Sequence, residues 1–260
     1  MPNSVFLKFS LFVLLPALVS LAIQTSAKAG FPPWILTQKQ PASEDRNRLH
    51  PPEHVPFQTP DGAIVQGDVY GAGSRGVVLV AHGGYSHKER WERQARILAA
   101  AGFRVLAFDT RAGVELKRTG KETECLYDAA CLAVDVLAAV RYMRQSGAQS
   151  VSVVGGSAGG GAVAQASVEA LQNEIDRIVL LAPAAIASPE RMKGRKLFIT
   201  ARDDRNDAGP RLPSIREQYD RAPNPKKLVI LEGSAHGQLI FDTPGGEQLM
   251  RELLRFLSDR

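Results

Sequence analysis

The run Val151-Ser152-Val153-Val154-Gly155-Gly156-Ser157-Ala158-Gly159-Gly160-Gly161 constrains this chain more than any other. Its first four residues, mostly β-branched, read as a buried strand, and residues 162–171 read as a helix. Between them lies G-x-S-x-G, a spacing that predicts a sharp strand-to-helix turn holding a serine hydroxyl clear of a sheet. Such a turn strains the serine backbone. Gly155 and Gly159, two before and two after it, must then be small enough for strand and helix to pass closely. A helix starting just behind the serine turns free N–H groups and the positive end of its dipole towards any anion formed there. The competing readings are a glycine-rich turn with an incidental serine and a phosphate-binding loop, the latter weakened because neither G-x-G-x-x-G nor a Gly-Lys-Ser/Thr ending is present.

Around this turn the chain alternates strand and helix signals. Residues 53–59 and 63–70 flank Pro60-Asp61-Gly62 and read as a β-hairpin, with Ile64, Gln66 and Asp68 on its solvated face. Buried strands are expected at 77–81, 103–108, 175–181, 196–200 and 227–231, and helices at 88–101, 129–144, 212–221 and 245–257. Residues 114–126 are polar and read as loop. Apolar strands separated by helices indicate a single α/β domain over 53–260, a mainly parallel sheet covered on both faces.

The N-terminus has another texture. Lys8 lies within an apolar run from Val5 to Ile23, and Ala27-Lys28-Ala29 follows, the pattern of a secretory signal peptide over residues 1–29 cut after Ala29. The dense apolar part, residues 11–23, is short for a membrane span of ~20 residues and carries Pro16, and no cysteine follows to carry a lipid, so no stable membrane anchor is expected after cleavage. Residues 30–52 read as an extended arm. Cleavage removes Lys8 and Lys28, leaving 30 Lys and Arg against 27 Asp and Glu, which takes the net charge from +5 to +3. The charges are interspersed rather than blocked, so no nucleic-acid partner is implied. Cys125 and Cys131 are expected to form a disulfide in a secreted or periplasmic protein, with two buried thiols at a helix start as the alternative, whereas C-x5-C with no nearby histidine is a poor zinc site. No metal or organic cofactor is implied, and nothing in the chain speaks to oligomeric state.

A serine hydroxyl needs a base, commonly an imidazole that a carboxylate orients. In an open α/β sheet the working groups lie beyond the carboxyl ends of the strands. His236, the only histidine downstream of Ser157, follows the last strand between small residues (Gly233-Ser234-Ala235-His236-Gly237). Asp203, Asp204 and Asp207 follow the strand before it; counting from the strand end favours Asp204, then Asp203. The order Ser157, Asp204, His236 is the one a genuine elbow requires. Two backbone donors should hold an oxyanion: the N–H of Ala158, and one from His82-Gly83-Gly84-Tyr85, with Gly84 first and Tyr85 second. His82 is expected to brace that loop, and Asp109 to pair with Arg111.

Together these residues resemble the α/β-hydrolase family, closest to its small dienelactone-hydrolase-like and esterase-like members. The resemblance rests on His82-Gly83-Gly84, Asp109-Thr110-Arg111-Ala112-Gly113, Gly155-Gly156-Ser157-Ala158-Gly159, Asp204 and Gly233-Ser234-Ala235-His236-Gly237, and covers the chain from about Glu53 onwards. It departs from the family at Ala112, commonly Gly, and at residues 183–195, where many relatives insert a cap. The resemblance implies an eight-stranded, mostly parallel sheet without a sizeable cap domain and acyl transfer through an acyl-serine. The expected activity is a secreted or periplasmic serine hydrolase acting on a small-molecule carboxylic ester. An amide or peptide hydrolase, or a non-catalytic binding protein that keeps the fold, are the alternatives.

Overall fold

The computed structural model describes residues 51–81 and 87–259. The signal-peptide segment, all of the arm but residues 51–52, and the loop 82–86 that carries His82, Gly84 and Tyr85 lie outside them. A hairpin of β1 (Glu53–Gln58) and β2 (Ile64–Tyr70) leads into β3 (Arg75–Ala81), β4 (Phe103–Asp109), β5 (Ser150–Gly156), β6 (Arg177–Leu181) and β7 (Arg195–Ala201). A ribbon, β8 (Arg205–Asn206) and β9 (Gly209–Pro210), precedes the last long strand, β10 (Lys226–Leu231). Eight strands form one sheet in the order β1-β2-β4-β3-β5-β6-β7-β10, parallel throughout except around β2, which runs against both its neighbours. The chain thus has the α/β-hydrolase architecture, with its serine turn leaving the sheet from a central strand.

Six α-helices connect these strands among the described residues: α1 (Glu92–Ala100), α2 (Arg111–Thr119), α3 (Ala129–Gln145), α4 (Ala158–Glu169), α5 (Leu212–Arg221) and α6 (Gly246–Ser258). None is long and apolar enough to cross a membrane. Because strand side chains alternate, the sheet divides the core in two. Val78 and Val80 of β3 face the layer of α3 and α4, with Leu132, Val136, Val140 and Val163. Val77, Leu79 and Ala81 face α1 and α6, with Leu98, Leu249 and Leu253. The connection between β6 and β7 carries only a 3-10 turn, Pro189–Arg191, so nothing folds there as a cap.

Three local expectations are corrected. Residues 114–126 are not loop: α2 covers 111–119, and a 3-10 turn covers Glu124–Leu126. The hydroxyl of Thr110 accepts the Gly113 N–H at the start of α2, and Gly120, at φ 70°, closes its end. The helix after the serine begins at Ala158 rather than 162 and ends at Glu169 rather than 171. Its glycines lower helix propensity but are needed for packing: a Cβ at Gly160 would meet Pro183 at 3.0 Å, and one at Gly161 would meet Ala184 at 3.1 Å. Asp68, expected on the solvated face of β2, is buried, because Lys88 and His54 both reach its carboxylate.

Candidate active site

Ser157 has φ 55° and ψ −125°, a backbone conformation that L-residues with a side chain rarely adopt. The surroundings hold it there. Its N–H donates to Leu181 O (2.9 Å), and its carbonyl accepts from Gly161 N (3.0 Å) and Ala184 N (2.9 Å). A Cβ at Gly155 would lie 2.4 Å from Gly159 O, so side chains are excluded where β5 and α4 cross. Ala158 is the first residue of α4, and its N–H therefore has no acceptor within the helix.

His236 approaches from the loop after β10. Gly237, at φ 55°, lies so close to the turn that a Cβ there would come within 3.4 Å of both Leu181 O and Ser157 N. This close approach brings the ring over the serine: Nε2 lies 2.8 Å from Ser157 Oγ, and Nδ1 lies 2.7 Å from Asp204 Oδ2. Three side chains from the ends of β5, β7 and β10 thus form one hydrogen-bonded line. The Asp204 side chain is 0% exposed and that of His236 27% exposed, so the carboxylate is sealed and the imidazole is half-open to solvent. Asp203 and Asp207 are both exposed, and His236 is paired with neither.

An imidazole in this position, with one nitrogen on a carboxylate and the other on a hydroxyl, can accept the hydroxyl proton as the oxygen attacks. The N–H of Ala158 and the N-terminal end of α4 directly follow Ser157 in the chain. Gly84 and Tyr85, the two choices for a second donor, fall in the loop outside the described residues.

The far stem of that loop is nonetheless visible. Lys88 N–H donates to Asp109 Oδ1 (2.9 Å), and His87 Nδ1 is 4.0 Å from the same oxygen. Burial pushes the Asp109 carboxyl above its usual range, an effect that the Lys88 N–H partly offsets. The expected Asp109–Arg111 pair is therefore a correction. Arg111 stands in the first turn of α2, which turns it towards α3 and the hairpin: Nε meets Asp135 Oδ1 at 2.6 Å and a terminal nitrogen meets Asp61 Oδ2 at 2.7 Å.

The structure bridges Cys125 and Cys131, with Cα atoms 5.4 Å apart, tying the 3-10 turn to the first helical turn of α3. Among the described residues no group of three or more His, Cys, Asp or Glu side chains could hold a metal. Arg211, which no motif singles out, has Nε 3.6 Å from Asp204 Oδ1.

The model of the α/β-hydrolase-fold family matches residues 76–240, more than half of the chain, and the chain belongs to that family. Solved structures similar to it include a dienelactone hydrolase from Anabaena variabilis, 22% identical at a TM-score of 0.67, with 79% of this chain and 97% of that one covered. An esterase from Pyrococcus furiosus is 20% identical at a TM-score of 0.61, covering 79% and 91%. A thermophilic esterase from Thermogutta terrifontis, with butyrate bound, is 18% identical at 0.61, covering 79% and 93%. At these identities the likeness is one of fold. No curated protein matches the chain.

Proposed function

We propose that the protein is an exported serine hydrolase that cleaves small carboxylic esters. The observation that carries this is the placement of one imidazole between two partners, 2.8 Å from Ser157 Oγ and 2.7 Å from the buried Asp204. Ser157 Oγ attacks the ester carbonyl carbon while its proton passes to His236 Nε2. The oxyanion sits against Ala158 N–H and a second donor from the 82–86 loop, Gly84 or Tyr85. Collapse expels the alcohol, which takes the proton from His236 and leaves an acyl-serine. Water, deprotonated by the same imidazole, then releases the acid and restores Ser157. Asp204 holds the ring in the tautomer that presents a lone pair to the serine.

An ester is favoured over an amide because two of the similar structures are described as esterases, one of them with butyrate bound. The short β6–β7 connection suits small or open-ended substrates rather than a chain enclosed under a lid. Export is supported by the disulfide and by the apolar run with its Ala-x-Ala ending. Mass spectrometry of the protein recovered from the periplasm or medium should find Gly30 at its N-terminus.

The activity is tested by a fluorophosphonate probe and by p-nitrophenyl acetate and butyrate, with aminoacyl-anilides as the amide control. Wild type should label at Ser157 and hydrolyse the esters, and Ser157→Ala should lose ~10⁴- to 10⁶-fold in turnover. Labelling that persists in Ser157→Ala would refute the assignment. Faster turnover of the anilides would move the activity to amide bonds.

A further inference from the structure

The distance between Asp204 and Arg211 along the chain is closed by a small hairpin. Arg205 pairs with Pro210 and Asn206 with Gly209, and the turn is fastened by Ala208 N–H on Asn206 Oδ1 (3.1 Å) and by Gly209 at φ 119°. Asp204 and Arg211 therefore form the next rung, where Arg211 N–H donates to Asp204 O (2.9 Å). Their side chains leave the rung on the same side, with Nε 3.6 Å from Oδ1.

Two further facts make this more than a surface pair. The Asp204 side chain is wholly excluded from solvent, and His236 occupies only Oδ2. Asp204 Oδ1 and Arg211 Nε are both buried atoms without a hydrogen-bond partner among the described residues, and they face each other. At 3.6 Å the contact is an ion pair, a few tenths of an ångström from a hydrogen bond. A carboxylate stripped of water is costly unless its charge is balanced and its lone pairs are taken up. A neutral imidazole, the form a general base needs, supplies a hydrogen bond but no charge. Apart from His236, Arg211 is the one cationic side chain within ion-pair distance of Asp204 among the described residues. The other arginines nearby are turned elsewhere: Arg202 pairs with Glu232 in solvent, and Arg205 is exposed.

We infer that Arg211 is a positioning residue of the hydrolytic site: its guanidinium balances the buried charge of Asp204 and fixes the free carboxylate oxygen, so that the other oxygen stays aimed at His236. This rests on the serine-hydrolase reading above. The hairpin is then the device that delivers the counter-charge, and Arg211 acts through Asp204 and His236 without touching substrate.

The test uses the full chain and p-nitrophenyl acetate, with the fluorophosphonate labelling rate as a second readout. Arg211→Met keeps the bulk of the side chain and removes its charge, Arg211→Lys keeps a charge, and Arg211→Ala opens a space. Guanidinium ion can enter that space from solvent, because the Arg211 side chain is 34% exposed. The Met and Ala variants should lose about 100-fold in kcat with KM little changed, short of the ~10⁴-fold expected when the carboxylate charge itself is removed. Rescue by Lys, or by millimolar guanidinium added to the Ala variant, supports the inference, because a purely structural fastening of the ribbon would respond to neither. Wild-type turnover in Arg211→Met would overturn it, as would losses in Met and Ala that neither rescue repairs and that follow a parallel fall in Tm. Asp204→Asn is assayed alongside. If it turns over at the wild-type rate, the serine-hydrolase reading itself fails. If it is inactive while Arg211→Met is fully active, only the role of Arg211 fails.

Discussion

Asp61 and Asp204 are both carboxylates beside an arginine, yet they differ in how solvent reaches them. Asp61 lies at the hairpin turn, where hydrogen bonds from Arg111 and then Thr59 lower its pKa from 3.8 to about 2. The folded value lies below the unfolded one, so this contribution to stability is complete above pH ~4 and lost as pH falls through about 2. Asp61→Asn should therefore be less stable than wild type at pH 5, with the gap in urea midpoint closing by pH 2. A gap that stays constant down to pH 2 would show that the carboxylate charge contributes nothing. At this scale the meeting of Ser157, Asp204 and His236 is readable in the sequence, because fixed glycine spacing brackets the serine and small residues flank the histidine. Arg211 is not readable, since a six-residue ribbon with no apolar alternation determines where it points. The orientation of Arg111 is hidden too: its partners lie 24 and 50 residues away, on α3 and the hairpin.

Helix α2 is the element that sequence patterning hides. Only Ala112, Val114 and Leu116 are apolar in RAGVELKRT, and Val114 is 49% exposed, so no broad stripe marks a helix. What holds it is local chemistry at its ends and the ion pair from Arg111 to Asp135, whose side chain is 3% exposed. Removing one partner of such a pair strands a buried charge. Arg111→Met should cost about 2–3 kcal/mol, less than the ~3–5 kcal/mol of a fully buried pair because the arginine is partly solvated. Thermal denaturation should show Tm lower by about 5–10 °C. Replacing Asp135 with leucine in the same chain should recover much of the loss, and no recovery would mean that Arg111 acts through packing instead. The disulfide belongs to the same region. By the chain-entropy estimate a loop this small contributes about 2 kcal/mol. Cys125→Ser with Cys131→Ser should then melt roughly 4–8 °C lower, and an unchanged Tm would show that Asp128, whose carboxylate accepts the Ala130 and Cys131 N–H groups at the start of α3, holds the loop without it.

Across the whole molecule, alternating apolar strands and helices announce the layered architecture because burial on both sheet faces demands it. The order in which strands sit side by side is less visible. That β3 lies between β4 and β5, with β10 last in line, is decided by crossover connections that leave no period in the sequence. The consequence falls on the three aligned side chains. Ser157 leaves a strand with neighbours on both flanks, whereas His236 follows β10, which is bonded to β7 alone and is only half-buried along most of its length. On warming, the periphery of a sheet opens before its middle. His236 should thus drift from Ser157 while most of the protein is still intact: under the proposed function, hydrolytic rate, followed through a temperature ramp, should collapse several degrees before the far-ultraviolet dichroism signal does. Coincident midpoints would mean instead that the rim and the centre melt as one cooperative body.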